Sequence, residues 1–153
     1  MLPPSRQFAP PARWERLSQG FTLTEVMVVV VIIAILAAIG YPSYLDYTRR
    51  SHATAATEGL GEARHALEQF FLSNRTYSGG PCGNGATLQS FALTCSLSAS
   101  SYTVTATGSG RANGFVYTMD HHGTPHTTSL PTDWGTVPSG GYACWVVRKG
   151  ETC

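Results

Sequence analysis

Gly20-Phe21-Thr22-Leu23-Thr24-Glu25-Val26-Met27-Val28-Val29, running on to Ala34-Ile35-Leu36-Ala37-Ala38-Ile39-Gly40-Tyr41-Pro42, is the stretch on which the reading of this chain turns. Val26 to Ile39 carries no polar side chain, while the remainder of the chain is rich in Ser, Thr and Gly. Phe21 to Tyr41 spans 21 residues, and a membrane-crossing helix needs about 20. Residues 1–20, ahead of it, are polar, proline-rich and moderately basic, with Arg6, Arg13 and Arg16, and end in Ser18-Gln19-Gly20. An ordinary secretory signal places its apolar stretch before the cleavage site. Here a small-residue junction comes first.

Two simpler readings compete. Val26 to Ala37 could serve as the apolar core of a secretory signal cut at Ala38-Ile39-Gly40, but Glu25 sits where a basic or apolar residue belongs, and Pro42 lies just beyond the cut. A plain membrane anchor accounts for the length, and for an orientation that keeps the leader arginines in the cytoplasm. It leaves Glu25 unexplained. A carboxylate one turn into a membrane helix costs on the order of 2–3 kcal/mol unless it is paired or interfacial, which makes it a functional residue by default. If the chain is cut between Gly20 and Phe21, the new α-amino group lies one helical turn from Glu25 and supplies the opposite charge.

This combination of a glycine, a phenylalanine, a glutamate five residues in and a proline at the twenty-second position resembles the class III signal of type IV prepilins. Thr24 departs mildly from the aliphatic residue usual before the glutamate. The resemblance implies cleavage after Gly20 by prepilin peptidase and N-methylation of Phe21. It further implies that Glu25 pairs with the Phe21 amine of a neighbouring subunit during assembly, delivered from the inner membrane by an assembly platform. The implied fold is α+β, the type IV pilin fold, with a long kinked N-terminal helix on a small antiparallel sheet. The expected divisions are residues 1–20 as cleaved leader, 21–43 as transmembrane and filament-core helix, and 44–153 as the head outside the membrane, including the amphipathic half of the helix.

Beyond Tyr44 the pattern becomes one-sided, with Ala53, Ala56, Leu60, Ala63, Leu67, Phe70 and Phe71 at steps of three and four. Helix is expected to about Ser73, with Glu68 paired to Arg64, a kink or opening at Gly40 and Pro42, and a second weak point at Gly59 and Gly61. The glycines, Pro81 and asparagines within residues 74–100 suggest an irregular loop. Tyr102, Val104 and Ala106 alternate with threonines, and Phe115, Tyr117 and Met119 repeat the period of two. Asp120-His121-His122-Gly123 reads as a tight turn into a third strand over 125–130, and residues 142–147 as a possible edge strand, giving an antiparallel meander. The helix end, the 115–123 hairpin and the Cys144-Trp145-Val146-Val147-Arg148-Lys149-Gly150 ending resemble PilE-like minor pilins and competence pilins.

Cys82, Cys95, Cys144 and Cys153 all follow the apolar segment, as disulfides in an oxidising compartment would. Three pairings are possible. The local ones, Cys82 with Cys95 and Cys144 with Cys153, close short loops flanked by expected structure and are favoured.

The 153 residues are 42% hydrophobic and 12% charged, with net charge +1. Losing the leader leaves seven basic and eight acidic side chains, too balanced to imply tight nucleic-acid binding from total charge. A local patch of Arg111, Arg148 and Lys149 with the aromatic Trp145 is a candidate DNA contact, in line with the competence pilins. His121, His122 and His126 match no metal-ligand spacing, so neither metal nor cofactor is expected. No nucleophile motif points to an enzyme. The reading is a structural pilin, a minor one, supporting pilus biogenesis, adhesion, twitching motility or DNA uptake. Its partners are other pilin subunits, and it resides in the inner membrane before assembly and on the cell-surface pilus afterwards. A DNA-binding competence pilin and a type II secretion pseudopilin are the alternatives, although Asp133 alone is a poor calcium loop.

Overall fold

The computed structural model describes residues 20–83 and 87–153. The expected leader, apart from Gly20, and the Asn84-Gly85 part of the expected loop lie outside the described residues. The chain divides into two compact units, residues 1–38 and 39–153.

In the first unit, helix α1 begins; it spans Leu23–Asn74 and runs on into the second unit. Thr22 caps it: the Glu25 N–H donates to the Thr22 hydroxyl at 3.3 Å and the Val26 N–H to the Thr22 carbonyl at 3.2 Å. Thr-Leu-Thr-Glu is the Ser/Thr-x-x-Glu spacing that satisfies the unpaired donors of a helix start. The most apolar part of the helix has mean hydropathy 2.7, with none of its residues buried within the chain. Helix assignment continues through Gly40 and Pro42, so the expected opening does not interrupt it. Pro42 lacks an N–H, which leaves the Ala38 carbonyl without its intrahelical donor.

In the second unit α1 buries Ala53, Ala56, Gly59, Leu60, Ala63 and Leu67. Phe70 and Phe71, expected in the same stripe, are only half-buried. Gly59 is a packing residue and not a weak point, because a Cβ there would overlap the Leu88 side chain; at Gly61 a Cβ would meet nothing. The helix ends where Arg75 turns left-handed (φ 57°) and its N–H closes on the Phe71 carbonyl at 2.7 Å.

Strands β1 (Thr87–Leu88), β2 (Phe91–Leu97), β3 (Tyr102–Gly108), β4 (Val116–Asp120) and β5 (Pro125–Ser129) form an antiparallel meander in sequence order. Tyr102, Val104 and Ala106 face inward from β3 and Tyr117 and Met119 from β4, as alternation requires. Register runs Thr94–Thr105–Thr118–His126 across the outer face, with a bulge at Val116/Tyr117. The core joins the helix stripe to Phe91, Leu93, Tyr102, Val104, Phe115, Tyr117 and Trp134. Fully burying side chains of the size of Phe91 or Leu60 is worth about 1.5–3 kcal/mol each.

Three expectations are corrected. Residues 74–100 are not one irregular loop: Phe91, Leu93 and Cys95 alternate with exposed neighbours along β2, a period of two outweighed in the sequence by the surrounding glycines. Residues 142–147 do not form a strand beyond a single bridge between Thr127 and Tyr142. The buried Thr127 hydroxyl takes over the ladder's role there, donating to the Cys144 carbonyl at 2.7 Å and accepting from the Val146 N–H at 3.0 Å. Finally, Glu68 does not pair with Arg64. It turns to the core edge, where its carboxylate accepts the hydroxyls of Tyr102 at 3.0 Å and Tyr77 at 3.2 Å. Burial, then the bond to Glu68, pushes both phenols above their ordinary range, so they remain donors.

Candidate functional site

Two sets of residues carry the functional reading, one in each unit. In the first, Gly20 and Phe21 precede the helix, and Glu25 occupies its first turn beyond the Thr22 cap. Phe21, Leu23 and Met27 are exposed, at 82%, 76% and 62%. The unpaired backbone donors at the start of α1 and the acid in its first turn concentrate the polar groups of this unit at one end, above an otherwise apolar cylinder.

The second set lies on the head around residues 45–50 of α1. Arg148 and Lys149 line a cleft together with Asp46, Tyr47, Arg50 and Trp134. Arg111, on the short turn between β3 and β4, lines a separate cleft with Thr48 and Arg49. Arg49 links the two, because its guanidinium donates to Asp133 at 2.6 Å and the same carboxylate oxygen stands 3.9 Å from Lys149. Asp46 lies 3.7 Å from Lys149. Arg49, with Lys149 after it, holds the Asp133 carboxyl below its ordinary range against the opposing effect of burial. Arg50, Arg148 and Lys149 therefore share one cleft, Arg49 reaches its edge through Asp133, and Arg111 lines the second cleft.

Of the cations grouped from the sequence, Arg148 and Lys149 share the first cleft and Arg111 lines the second. Trp145 has a different place: it is partly buried against the core, and its indole N–H donates to the Thr118 carbonyl at 3.1 Å. The aromatic ring available beside the cations is Tyr47, 72% exposed. Sequence reasoning missed Tyr47, Arg49 and Arg50. Their signal was a Tyr-x-Arg-Arg run just ahead of the buried helix stripe, which has no meaning until the C-terminal loop is brought to it.

That loop is fixed by the Cys144–Cys153 disulfide (Cα–Cα 5.8 Å), while Cys82–Cys95 (5.9 Å) ties the segment after α1 to β2. The polypeptide thus uses the two local pairings. The His121 and His122 rings lie 3.9 Å apart at a 41° tilt in the β4–β5 turn, and His126 lies on β5. Among the described residues, no three His, Cys, Asp or Glu side chains are grouped to hold a metal. The turn is held by Asp120, whose carboxylate accepts the N–H groups of Thr124 at 2.8 Å and His122 at 3.0 Å, with Gly123 left-handed at φ 79°. Burial raises the Asp120 carboxyl, but those bonds outweigh it and hold it below its ordinary range.

Comparison with known proteins separates the two sets. The chain is 43% identical over 60 residues to a fimbrial protein of Pseudomonas aeruginosa, covering 39% of each chain. It is 41% identical over 59 residues to the type IV major fimbrial protein FimA of Dichelobacter nodosus, covering 39% of this chain and 38% of that one. It is 34% identical over 74 residues to a fimbrial protein of Neisseria meningitidis serogroup B, covering 48% and 44%. The chain thus spans less than half the length of the curated relatives it matches. No solved structure matches it. The prokaryotic N-terminal methylation motif matches residues 16–41. The family described as "Type IV minor pilin ComP, DNA uptake sequence receptor" matches residues 42–128, more than half of the chain, and the chain belongs to that family of type IV pilins.

Proposed function

We propose that this pilin is a minor subunit that enters the pilus through α1 and presents a DNA-binding head. The observation that carries the reading is the meeting of Arg50, Arg148 and Lys149 in one cleft with the exposed Tyr47, with Arg49 held on the same carboxylate that Lys149 approaches. Cations track phosphates whatever the sequence, and an exposed ring adds a surface on which a base can stack. The name of the matched family supports the same reading. Total charge does not oppose it, because the cluster is local.

On this reading prepilin peptidase cleaves between Gly20 and Phe21 at the cytoplasmic side of the inner membrane, Phe21 is N-methylated, and Glu25 meets the Phe21 amine of a neighbour as the assembly platform extracts the stem. The methylation-motif match and the bare apolar surface of the first unit support this sequence of events.

The test is DNA retention by the full chain in detergent over a series of salt concentrations. Replacing both Arg148 and Lys149 with Ala should weaken binding and make it less salt-dependent, by about 0.9 in the log–log slope for each phosphate left without its cation. Retention unchanged in affinity and slope would leave the pilin without its DNA role. A purely structural minor pilin would then be the reading that stands.

A further inference from the structure

Asp133, Asp46 and Glu151 are engaged with the basic cluster or with its loop, while Glu58 lines a separate cleft with Tyr47 and Arg50. Asp133 accepts from Arg49 and stands near Lys149, and Asp46 stands near Lys149 from the other side. Glu151 makes a different contact: one of its carboxylate oxygens accepts two successive backbone N–H groups, from Val147 at 3.2 Å and Arg148 at 3.1 Å. Consecutive N–H groups converging on one oxygen form the kind of concavity that holds phosphate oxygens elsewhere in proteins. This one is anchored twice. The Cys144–Cys153 disulfide closes the loop, and the Gly150 N–H donates to the carbonyl of the buried Trp134 at 3.3 Å.

The chain's own carboxylates therefore sit on donors that suit a phosphodiester, and they sit there loosely. The side chains of Asp133 and Lys149 are 49% and 48% exposed, and ion pairs in that setting hold weakly against competitors. An incoming polyanion offers the same donors several oxygens at fixed spacing, with release of its condensed counterions as additional drive.

We propose that the head engages DNA by exchange, with backbone phosphates displacing Asp133 from Arg49 and Lys149, and Glu151 from the Val147 and Arg148 N–H pair. Resting on the DNA-binding reading above, this makes the two acids the regulators of that site: they offset part of the positive charge of the empty cluster and set the affinity at a level that lets DNA be released. The cations are pre-aligned by the acids, so binding replaces one set of oxygens with another.

The experiment compares the unsubstituted full chain in detergent with Asp133→Asn, Glu151→Gln and the control Glu62→Gln, an acid on the helix away from the cluster. Binding of a short duplex is followed by fluorescence anisotropy over a range of salt, with disulfide state and circular dichroism confirming the fold. Asp133→Asn and Glu151→Gln should each tighten binding by about two- to five-fold, the range open to an exposed ion pair. Asp133→Asn should also steepen the log–log salt slope by about 0.9, equivalent to one more neutralised phosphate. Glu62→Gln should do neither. If the unsubstituted chain binds, and Arg148→Ala with Lys149→Ala weakens it, but both acid variants bind equally or more weakly, the exchange is wrong while the DNA reading survives. If the unsubstituted chain retains no duplex at any salt, both fall.

Discussion

Val26 through Leu36 consists of apolar residues whose large side chains are about half exposed or more, whereas in the head side chains of the same kind, such as Leu60, Phe91, Val104 and Phe115, are at most 1% exposed. The first set has no partner within its own chain, and water is not a stable surrounding for so much uninterrupted apolar surface. On the proposed function, lipid before assembly and the stems of other pilins afterwards provide the complement. The head completes its own core, with helix stripe and sheet face each supplying what the other lacks. Changes in the stem should therefore register in assembly, and changes in the head in stability.

The largest effect should come from Glu25→Ala. Membrane insertion should persist while incorporation into sheared filaments, measured by quantitative mass spectrometry, falls about tenfold or more, equivalent to at least about 1.4 kcal/mol of assembly free energy. Normal incorporation would break the contrast by showing that the stem needs only its apolar surface. Next, Phe115→Ala should destabilise the head by about 3–5 kcal/mol in denaturant unfolding, since a fully buried ring in edge contact with Trp134 at 4.6 Å leaves a cavity. Membrane partitioning of the stem should not change. If it did, the two units would not be energetically separable.

A matched pair of glycine changes sharpens the head's side of the comparison. Gly61→Ala should stabilise by about 0.8–1 kcal/mol through helix propensity, because its surroundings are open, while Gly59→Ala should forfeit that gain to overlap with Leu88. Equal shifts in melting temperature would show that Leu88 moves aside freely. The smallest effect concerns pH. Asp120 and Asp133 have folded-state carboxyls below their ordinary range, so the unfolded chain takes up protons first as pH falls. Their contribution to stability is complete above the ordinary carboxylate pKa of about 3.9 and disappears as pH drops through the lower folded values. Thermal unfolding of Asp120→Asn should show a shallower decline of stability below that pH than the unsubstituted protein. Membrane association of the stem should be indifferent over the same range.

Legibility follows the range of the interactions. The alternation along β3 and β4 and the three-and-four spacing of Ala53 to Leu67 repeat a local period, and each element forms where its period lies. β2 carries the same period but is hidden behind Gly79 to Gly85, since turn residues dominate a short window. Helix spacing alone assigns Glu68 to Arg64. The phenols of Tyr77 and Tyr102, one of them 34 residues away, enter the choice only after the sheet is docked.

From sequence alone came the apolar stem with its single acid, the junction at Gly20 and Phe21, the class of fold and the two local cysteine pairs. The stem and its acid are stated by composition within a short run and the favoured cysteine pairs by their short separation, while the Gly20–Phe21 junction and the pilin fold are expectations from the resemblance of that run to prepilin signals; a helix without partners has nothing further to learn from its own fold. Tertiary structure decided which cations meet, that Tyr47 and not Trp145 stands beside them, and that Asp133 and Glu151 occupy their donors. Those outcomes depend on where a disulfide-closed loop lands on a helix about a hundred residues earlier, and loop closure over such distances is set by the packing of the whole head and leaves no local period to read.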